Sequence, residues 1–278
     1  MGTQVHPNTA IFALYGQYVL PRGGGIWLGS LIRAMGTLDF SEAAARSSAL
    51  RMKKKGYLQS QRLGRRSFYW LTDTGLNHLN RGGFRFSISP DDVWDGRWTL
   101  VIYSIPEERR ESRDALRNML NWWGFGMLAP GTWISTHSLP SEAENKWREL
   151  GIREYLNVFR SEYLSPGDLS TVVARAFPQL STLADHYRDH IAESESILRR
   201  FEADLLKDEE CFAYRLRNIC EFVPIILRDP SLPSSLLPTA WPRPTAQLLT
   251  QELQQTLAEP AERFFEAIYQ AGEDDRQS

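Results

Sequence analysis

Residues 41–71 read SEAAARSSALRMKKKGYLQSQRLGRRSFYWL. Asp39 and Ser41 are both residue types that favour a helix N-cap, and Ala45, Ala49 and Met52 recur at helical spacing until Gly56. Two short runs with aromatic and apolar residues follow at 57–60 and 67–71, joined by the glycine-containing segment 61–66. The stretch therefore predicts a helix followed by a β-hairpin.

The sequence before this stretch predicts two more helices. Apolar residues recur at helical spacing over 9–20 and again over 26–35, and Pro21 and three glycines at 23–25 separate the two segments. A further helix follows the hairpin from Asp73. Three helices and a two-stranded hairpin are the parts of a winged helix-turn-helix, which we predict for residues 1–85.

Charge is distributed unevenly around this predicted module. No acidic residue occurs between Glu42 and Asp73, although that span holds eight of the chain's basic residues: Arg46, Arg51, Lys53, Lys54, Lys55, Arg62, Arg65 and Arg66. The predicted buried face of the third helix turns its other side chains outward. We therefore predict contacts to double-stranded DNA from Arg46, Ser47, Leu50, Arg51, Lys54, Arg62, Arg65 and Arg66.

The chemistry of these contacts stays open at this point. Arg46 and Arg51 are able either to pair with guanine edges or to hold phosphates, and the hairpin arginines suit phosphate or a narrow minor groove. A winged helix that binds a protein partner, as an interaction adaptor does, is the alternative function.

The rest of the chain predicts a linker and two further domains. With the winged helix, they make the whole chain an α+β protein. Residues 86–95 are polar and contain Pro90, which is typical of a linker. Over 96–166 the elements follow the order βαββαβ, which predicts a ferredoxin-like central domain. Residues 167–278 are helical in pattern and predict a C-terminal helical domain.

Composition narrows the class of protein. The 278 residues are 42% apolar and carry a formal net charge of −2, which is ordinary globular composition. No segment approaches the roughly 20 apolar residues of a membrane helix. With Cys211 and Cys220 as its only cysteines, the chain is expected in a reducing compartment, the cytoplasm, and not at a membrane.

Short motifs spread over most of the chain resemble those of a known protein family. They are YVLPRGG (18–24), IWLGSLI (26–32) and GRRSFY (64–69), then DGRWTLV (95–101), GFG (124–126) and GTWI (131–134), then DPSLP (229–233), LLP (236–238) and WP (241–242). Together they resemble the PaaX-like repressors of phenylacetate catabolism. The chain departs from that family's usual recognition helix at Ser41-Glu42 and at Ala45-Arg46-Ser47.

The resemblance implies a homodimeric repressor of an aromatic-compound catabolic operon. Such a repressor binds a palindromic operator and is released by an aryl-CoA thioester or a related aromatic effector. An effector of this kind needs an apolar slot and basic groups for its phosphates. As candidates we name Trp122, Trp123, Trp133, Arg153, Arg160, Arg175 and Arg188.

The sequence argues against an enzyme, and we predict no catalytic residue, metal or cofactor. The central segment also resembles small CRISPR-associated nucleases, but Ser104 stands where their metal-binding aspartate ends the first strand. A metal-dependent nuclease is thus an unfavoured alternative. His186 and His190 have zinc-ligand spacing, yet no third ligand is evident, so we interpret them as part of a solvated polar face.

Overall fold

Two small antiparallel sheets and a series of helices form the part of the chain that a computed structural model describes, residues 5–86, 94–164 and 167–274. The chain is an α+β protein with a helical C-terminal region, as predicted. Its described residues fall into two compact units. The first lies within 1–86, 187–224 and 243–278, and the second within 87–186 and 225–242.

Four helices belong to the N-terminal part of the first unit. They are α1 (Pro7–Leu14), α2 (Leu28–Gly36), α3 (Glu42–Lys54) and α4 (Asp73–Phe86). Helix α1 starts with a proline in its first turn, where no amide hydrogen is needed, and continues through a π turn to Val19 and a 3₁₀ turn to Arg22. At α3 the Ser41 hydroxyl accepts a hydrogen bond from the Ala44 amide, as an N-cap should.

The first sheet contains one strand more than the hairpin. Its order is β1 (Gly25–Trp27), β3 (Arg66–Leu71), β2 (Leu58–Leu63), with both pairs antiparallel. The prediction of helix from residue 26 was therefore wrong for its first two residues. Gly23 and Gly24 turn the chain at φ of 91° and 80°. A Cβ at position 25 would lie 2.2 Å from the Phe68 ring, so only glycine fits at this position of β1.

The hairpin has longer strands and a tighter tip than predicted. Leu63 pairs with Arg66, which leaves Gly64 and Arg65 as a two-residue turn with Gly64 at φ 60°. Arg62 and Arg66 lie in the strands, so the prediction that all of 61–66 form the tip was wrong. Only Arg65 of the three arginines lies in the turn.

The second unit holds a four-stranded sheet. Its strands are β4 (Arg97–Tyr103), β5 (Gly126–Ala129), β6 (Thr132–Ser135) and β7 (Leu156–Glu162), in the order β5-β6-β4-β7. Helices α5 (Arg110–Trp122) and α6 (Ala143–Glu149) connect them and share a core with Val101, Trp133 and Leu156. Helix α7 (Leu169–Ala176) packs on β5, where a Cβ on Gly126 would lie 2.4 Å from the Ala176 carbonyl oxygen.

The remaining helices are α8 (Leu180–Glu202), α9 (Asp208–Arg228), α10 (Arg243–Thr256) and α11 (Ala258–Asp274). Parts of them share one hydrophobic core with the N-terminal helices. The Tyr18 ring lies 4.9 Å from each of the Phe212 and Phe265 rings, and all three side chains are fully buried. The predicted linker at 86–95 falls mostly on 87–93, outside the described residues.

Candidate DNA interface

Helix α3 separates its residues cleanly into two faces. Ala45, Ala49 and Met52 are fully buried, as predicted, and Ser48 joins them. All five residues predicted to contact DNA from this helix are exposed: Arg46, Ser47, Leu50, Arg51 and Lys54. The last turn carries Arg51, Lys53 and Lys54, where cations are favoured by the negative end of the helix dipole.

Short polar contacts hold several of these side chains on the helix surface. Arg46 pairs with Glu42 one turn earlier, with Nη2 2.7 Å from Oε1. Arg51 donates from Nη1 to the Ser47 hydroxyl at 2.5 Å and from Nη2 to the Ser48 hydroxyl at 2.6 Å. In this structure the guanidinium groups of Arg46 and Arg51 thus lie against polar side chains of their own helix.

A contact that the sequence did not predict joins α3 to the hairpin. Lys53 donates from Nζ to the Ser60 hydroxyl at 2.8 Å, across seven residues. This partner follows from the way β2 folds back beside α3. The bond helps to fix the hairpin relative to the helix.

The hairpin arginines differ in exposure. Arg62 and Arg65 are exposed, whereas Arg66 is half-buried. Arg62 donates from Nε to the Gly64 carbonyl at 3.2 Å, which keeps its guanidinium beside the turn. Leu63, between these cations, is 45% exposed and was not predicted as a surface residue.

The C-terminal helices anchor the segment that precedes this interface. Arg22 binds two carboxylates of α11, with Nη2 2.6 Å from Glu262 Oε2 and Nε 3.2 Å from Glu266 Oε2. Ser30 of α2 donates its hydroxyl hydrogen to the Ile268 carbonyl at 2.8 Å. Acidic residues of α11 thus pair with the segment that precedes α2.

The candidate effector residues are spread over several places. Trp133 is 2% exposed in the core of the second unit, Trp123 lies at its edge with its ring 6.4 Å from Trp147, and Trp122 is 42% exposed on α5. Arg175 is exposed on α7, and Arg188 is exposed on the part of α8 that belongs to the first unit.

Two of the candidate arginines already have carboxylate partners. Arg153 donates from Nε to both carboxylate oxygens of Glu144 at 2.8 Å, and Arg160 binds both oxygens of Asp95 at 2.9 and 3.0 Å. The hydrogen bond from Arg153 lowers the pKa of the Glu144 carboxyl, and that from Arg160 lowers the pKa of the Asp95 carboxyl. Arg153 also lines an open cleft of about 450 Å³ with Leu139, Trp147 and Leu156.

The two histidines of α8 have different surroundings. His186 is half-exposed, but His190 is only 5% exposed, so the prediction of a solvated polar face was wrong for His190. Its Nε2 lies 2.8 Å from the Thr250 hydroxyl, and its ring stacks on Phe222 at 5.0 Å. Within the described ranges, no three His, Cys, Asp or Glu side chains converge as ligands of a metal ion would.

None of the helices in the described part of the chain is both long enough and apolar enough to cross a membrane. Ser104, the residue at the nuclease aspartate position, is exposed and donates its amide to the Tyr155 carbonyl at 3.2 Å.

Comparison with known proteins finds family matches in three consecutive regions of the chain. Residues 6–75 match a family described as PaaX-like protein, 91–173 match the PaaX protein central Cas2-like domain, and 179–267 match the PaaX-like protein C-terminal domain. The transcriptional repressor PaaX of Escherichia coli K12 is 32% identical over 269 residues, which cover 94% of this chain and 83% of that protein.

A solved structure shares the fold. An uncharacterized protein from Mycobacterium tuberculosis superposes with a TM-score of 0.62, at 19% identity, over 96% of this chain and 99% of that one. Three ordered domain matches and a relative of this identity and coverage define the class: the chain is a transcription regulator and not an enzyme. It belongs to the PaaX-like family.

Proposed function

We propose that this chain represses transcription by binding double-stranded operator DNA through a winged helix-turn-helix. In this proposal α2 and α3 form the helix-turn-helix, α3 enters the major groove, and the β2–β3 hairpin is the wing. The carrying observation is the α3 surface, where buried alanines turn Arg46, Arg51 and Lys54 outward beside exposed Arg62 and Arg65. The sequence between Glu42 and Asp73 holds no acidic residue, and Glu42 itself pairs with Arg46 at the start of α3.

The remaining regions receive supporting roles. We keep 1–85 as the DNA-binding region, 86–95 as a linker, 96–166 as a ferredoxin-like domain and 167–278 as the helical region. The strand order β5-β6-β4-β7 with two connecting helices supports the ferredoxin-like assignment. The shared core of Tyr18, Phe212 and Phe265 means that part of the helical region also supports the DNA-binding region.

For the regulation of DNA binding we propose the mode that the family implies. We propose a cytoplasmic homodimer that controls an aromatic-compound catabolic operon and leaves its operator when an aryl-CoA thioester binds. Trp122, Trp123, Trp133, Arg153, Arg160, Arg175 and Arg188 stay the candidate effector residues. A hundredfold loss of operator affinity requires that the effector prefer the non-binding form by about 2.7 kcal/mol, an ordinary coupling energy.

The test is a gel-shift titration with promoter DNA from the chain's own gene neighbourhood. A discrete complex that survives excess unrelated DNA and dissociates with phenylacetyl-CoA or another aryl-CoA, but not with free CoA, is the expected result. A complex that persists with every thioester overturns the proposed regulation. Absence of any specific complex at low salt overturns the repressor function.

A further inference from the structure

The exposed side of α3 is not uniformly basic. Four residues lie directly opposite the buried side, at spacings of four, three and four positions: Ala43, Ser47, Leu50 and Lys54. At about 100° per residue they form one stripe about 180° from Ala45, Ala49 and Met52. Arg46 and Arg51 lie about 70° to either side of that stripe.

This arrangement has a direct consequence if α3 lies in a major groove. The groove is about 12 Å wide and a helix with its side chains is about 10–12 Å across, so the helix fills it. The stripe opposite the protein core then faces the base edges, and the flanks face the two phosphate backbones. Arg46 and Arg51 are thereby placed for phosphates rather than for bases.

The hydrogen bonds of the two arginines support the same assignment. Arg46 is held by Glu42, and both terminal nitrogens of Arg51 are held by Ser47 and Ser48. A guanidinium held against its own helix is poorly placed for the bidentate contact that reads guanine. Ser47, which accepts from Arg51, keeps its own hydroxyl hydrogen to donate to a base.

Leu50 is the largest apolar residue of the stripe and is 50% exposed. The described residues of the first unit expose three other large apolar side chains, Leu63, Leu205 and Leu248. Of these, only Leu63 also lies among the cations. A leucine surrounded by cations on a DNA-facing helix has one apolar partner available in the major groove, the C5-methyl group of thymine.

We propose that Leu50 contacts a thymine methyl group and that the stripe of Ala43, Ser47 and Leu50, rather than the arginines, sets base specificity. The proposal rests on the proposed function, because it requires that α3 bind duplex DNA. It predicts that operator recognition depends on a methyl group that uracil lacks.

The experiment begins with duplexes that the full-length protein selects from a random library. Each thymine of the selected site is then replaced singly by deoxyuridine, which removes only the methyl group. We expect one position per half-site at which the replacement weakens binding about fourfold, the effect of one buried methyl group. Leu50→Ala, which lacks the contact in both half-sites of the proposed homodimer, binds the thymine duplex about 15-fold more weakly and no longer distinguishes thymine from uracil at that position.

Matched variants separate the outcomes. Leu248→Ala, at a 68% exposed leucine on α10, should retain the thymine preference of the wild type. Arg46→Ala should weaken binding to all duplexes alike.

If a site is selected but uracil is harmless throughout, or Leu50→Ala keeps the preference for thymine, the inference is overturned and the repressor function stands. If Arg46→Ala changes the preferred bases, the assignment of the flanks is wrong. If no sequence is selected, the proposed function itself fails.

Discussion

His190 carries a titratable ring inside the helical core of the first unit. Its neighbours Asn218, Ser194 and Thr250 are buried polar side chains, and Asn218 donates from Nδ2 to the Ser194 hydroxyl at 3.0 Å. Burial lowers the pKa of His190 to about 4. The neutral ring is therefore part of the folded structure, because a charged imidazole here would lose its hydration without gaining a carboxylate partner.

We predict that acid destabilises the protein partly through His190. Between pH 6.5 and pH 4 the unfolded histidine binds a proton that the folded one excludes, so unfolding takes up a proton. A stabilisation of about 3 kcal/mol, fully present above pH 6.5, is lost as the pH falls to about 4. Urea unfolding of His190→Gln across this range should show a shallower dependence on pH than the wild type.

Thr250→Val is the control for that measurement. It removes the hydroxyl beside the imidazole while the imidazole stays in place, so it should lower the free energy of unfolding but keep the dependence on pH. An unchanged pH slope in His190→Gln would show that His190 does not cause the acid sensitivity.

At the level of elements, the β2–β3 hairpin and α3 form one continuous surface. Lys53 bonds to Ser60, and Arg62 and Arg65 extend the cations of α3 along the hairpin toward its tip. The two-residue turn allows this, because a longer loop would place Arg62 in a flexible segment. A short, well-paired hairpin presents its charges at defined positions relative to the helix.

We predict that Arg62 and Arg65 contribute chiefly through phosphates. In Arg62→Ala/Arg65→Ala the slope of log affinity against log salt should fall in magnitude by about 4 for the proposed homodimer, since each of the two subunits loses two phosphate contacts and each contact contributes about 0.9. Fluorescence anisotropy over a salt series measures this slope. Arg199→Ala, an exposed arginine of α8 whose side chain is 67% accessible, serves as the control and should leave the slope unchanged. Equal slopes in all three proteins would contradict the assignment of the wing.

Much of this surface could be predicted from sequence, and the exceptions have physical causes. The buried face of α3 follows from the local spacing of Ala45, Ala49 and Met52. Strand β1 does not, because its only evidence is hydrogen bonding to β3, more than 40 residues away, while Ile26 and Trp27 continue an apolar pattern typical of a helix. The burial of His190 likewise depends on Thr250, a residue of α10 that is 60 positions away.

At the level of the whole molecule, the proposed DNA-binding region is stabilised by residues from the C-terminal end of the chain. Helix α11 supplies Phe265, which is fully buried and stacks on Phe212 at 5.8 Å. The same helix provides the carboxylates that hold Arg22, and Tyr269 donates its hydroxyl to the Gly25 carbonyl at 3.0 Å. The turn before α2 is thus held by residues more than 200 positions later.

We predict that Phe265→Ala lowers the free energy of unfolding by about 3–5 kcal/mol, because it leaves a cavity in the core that both ends share. Leu248→Ala, on the exposed side of α10, should change it by no more than about 0.5 kcal/mol. Urea unfolding followed by tryptophan fluorescence measures both. A cost for Phe265→Ala as small as that for Leu248→Ala would contradict the shared core.

The central claim is that residues 41–71 form the surface that meets duplex DNA. Its most direct test is photocrosslinking of the full-length protein to a selected duplex that carries 5-iodouracil, followed by mass spectrometry of the crosslinked peptides. We expect crosslinks in peptides from α3 and the β2–β3 hairpin, and we expect them to disappear when unlabelled duplex competes. A specific complex whose crosslinks fall only in the central domain or the C-terminal helices would contradict it.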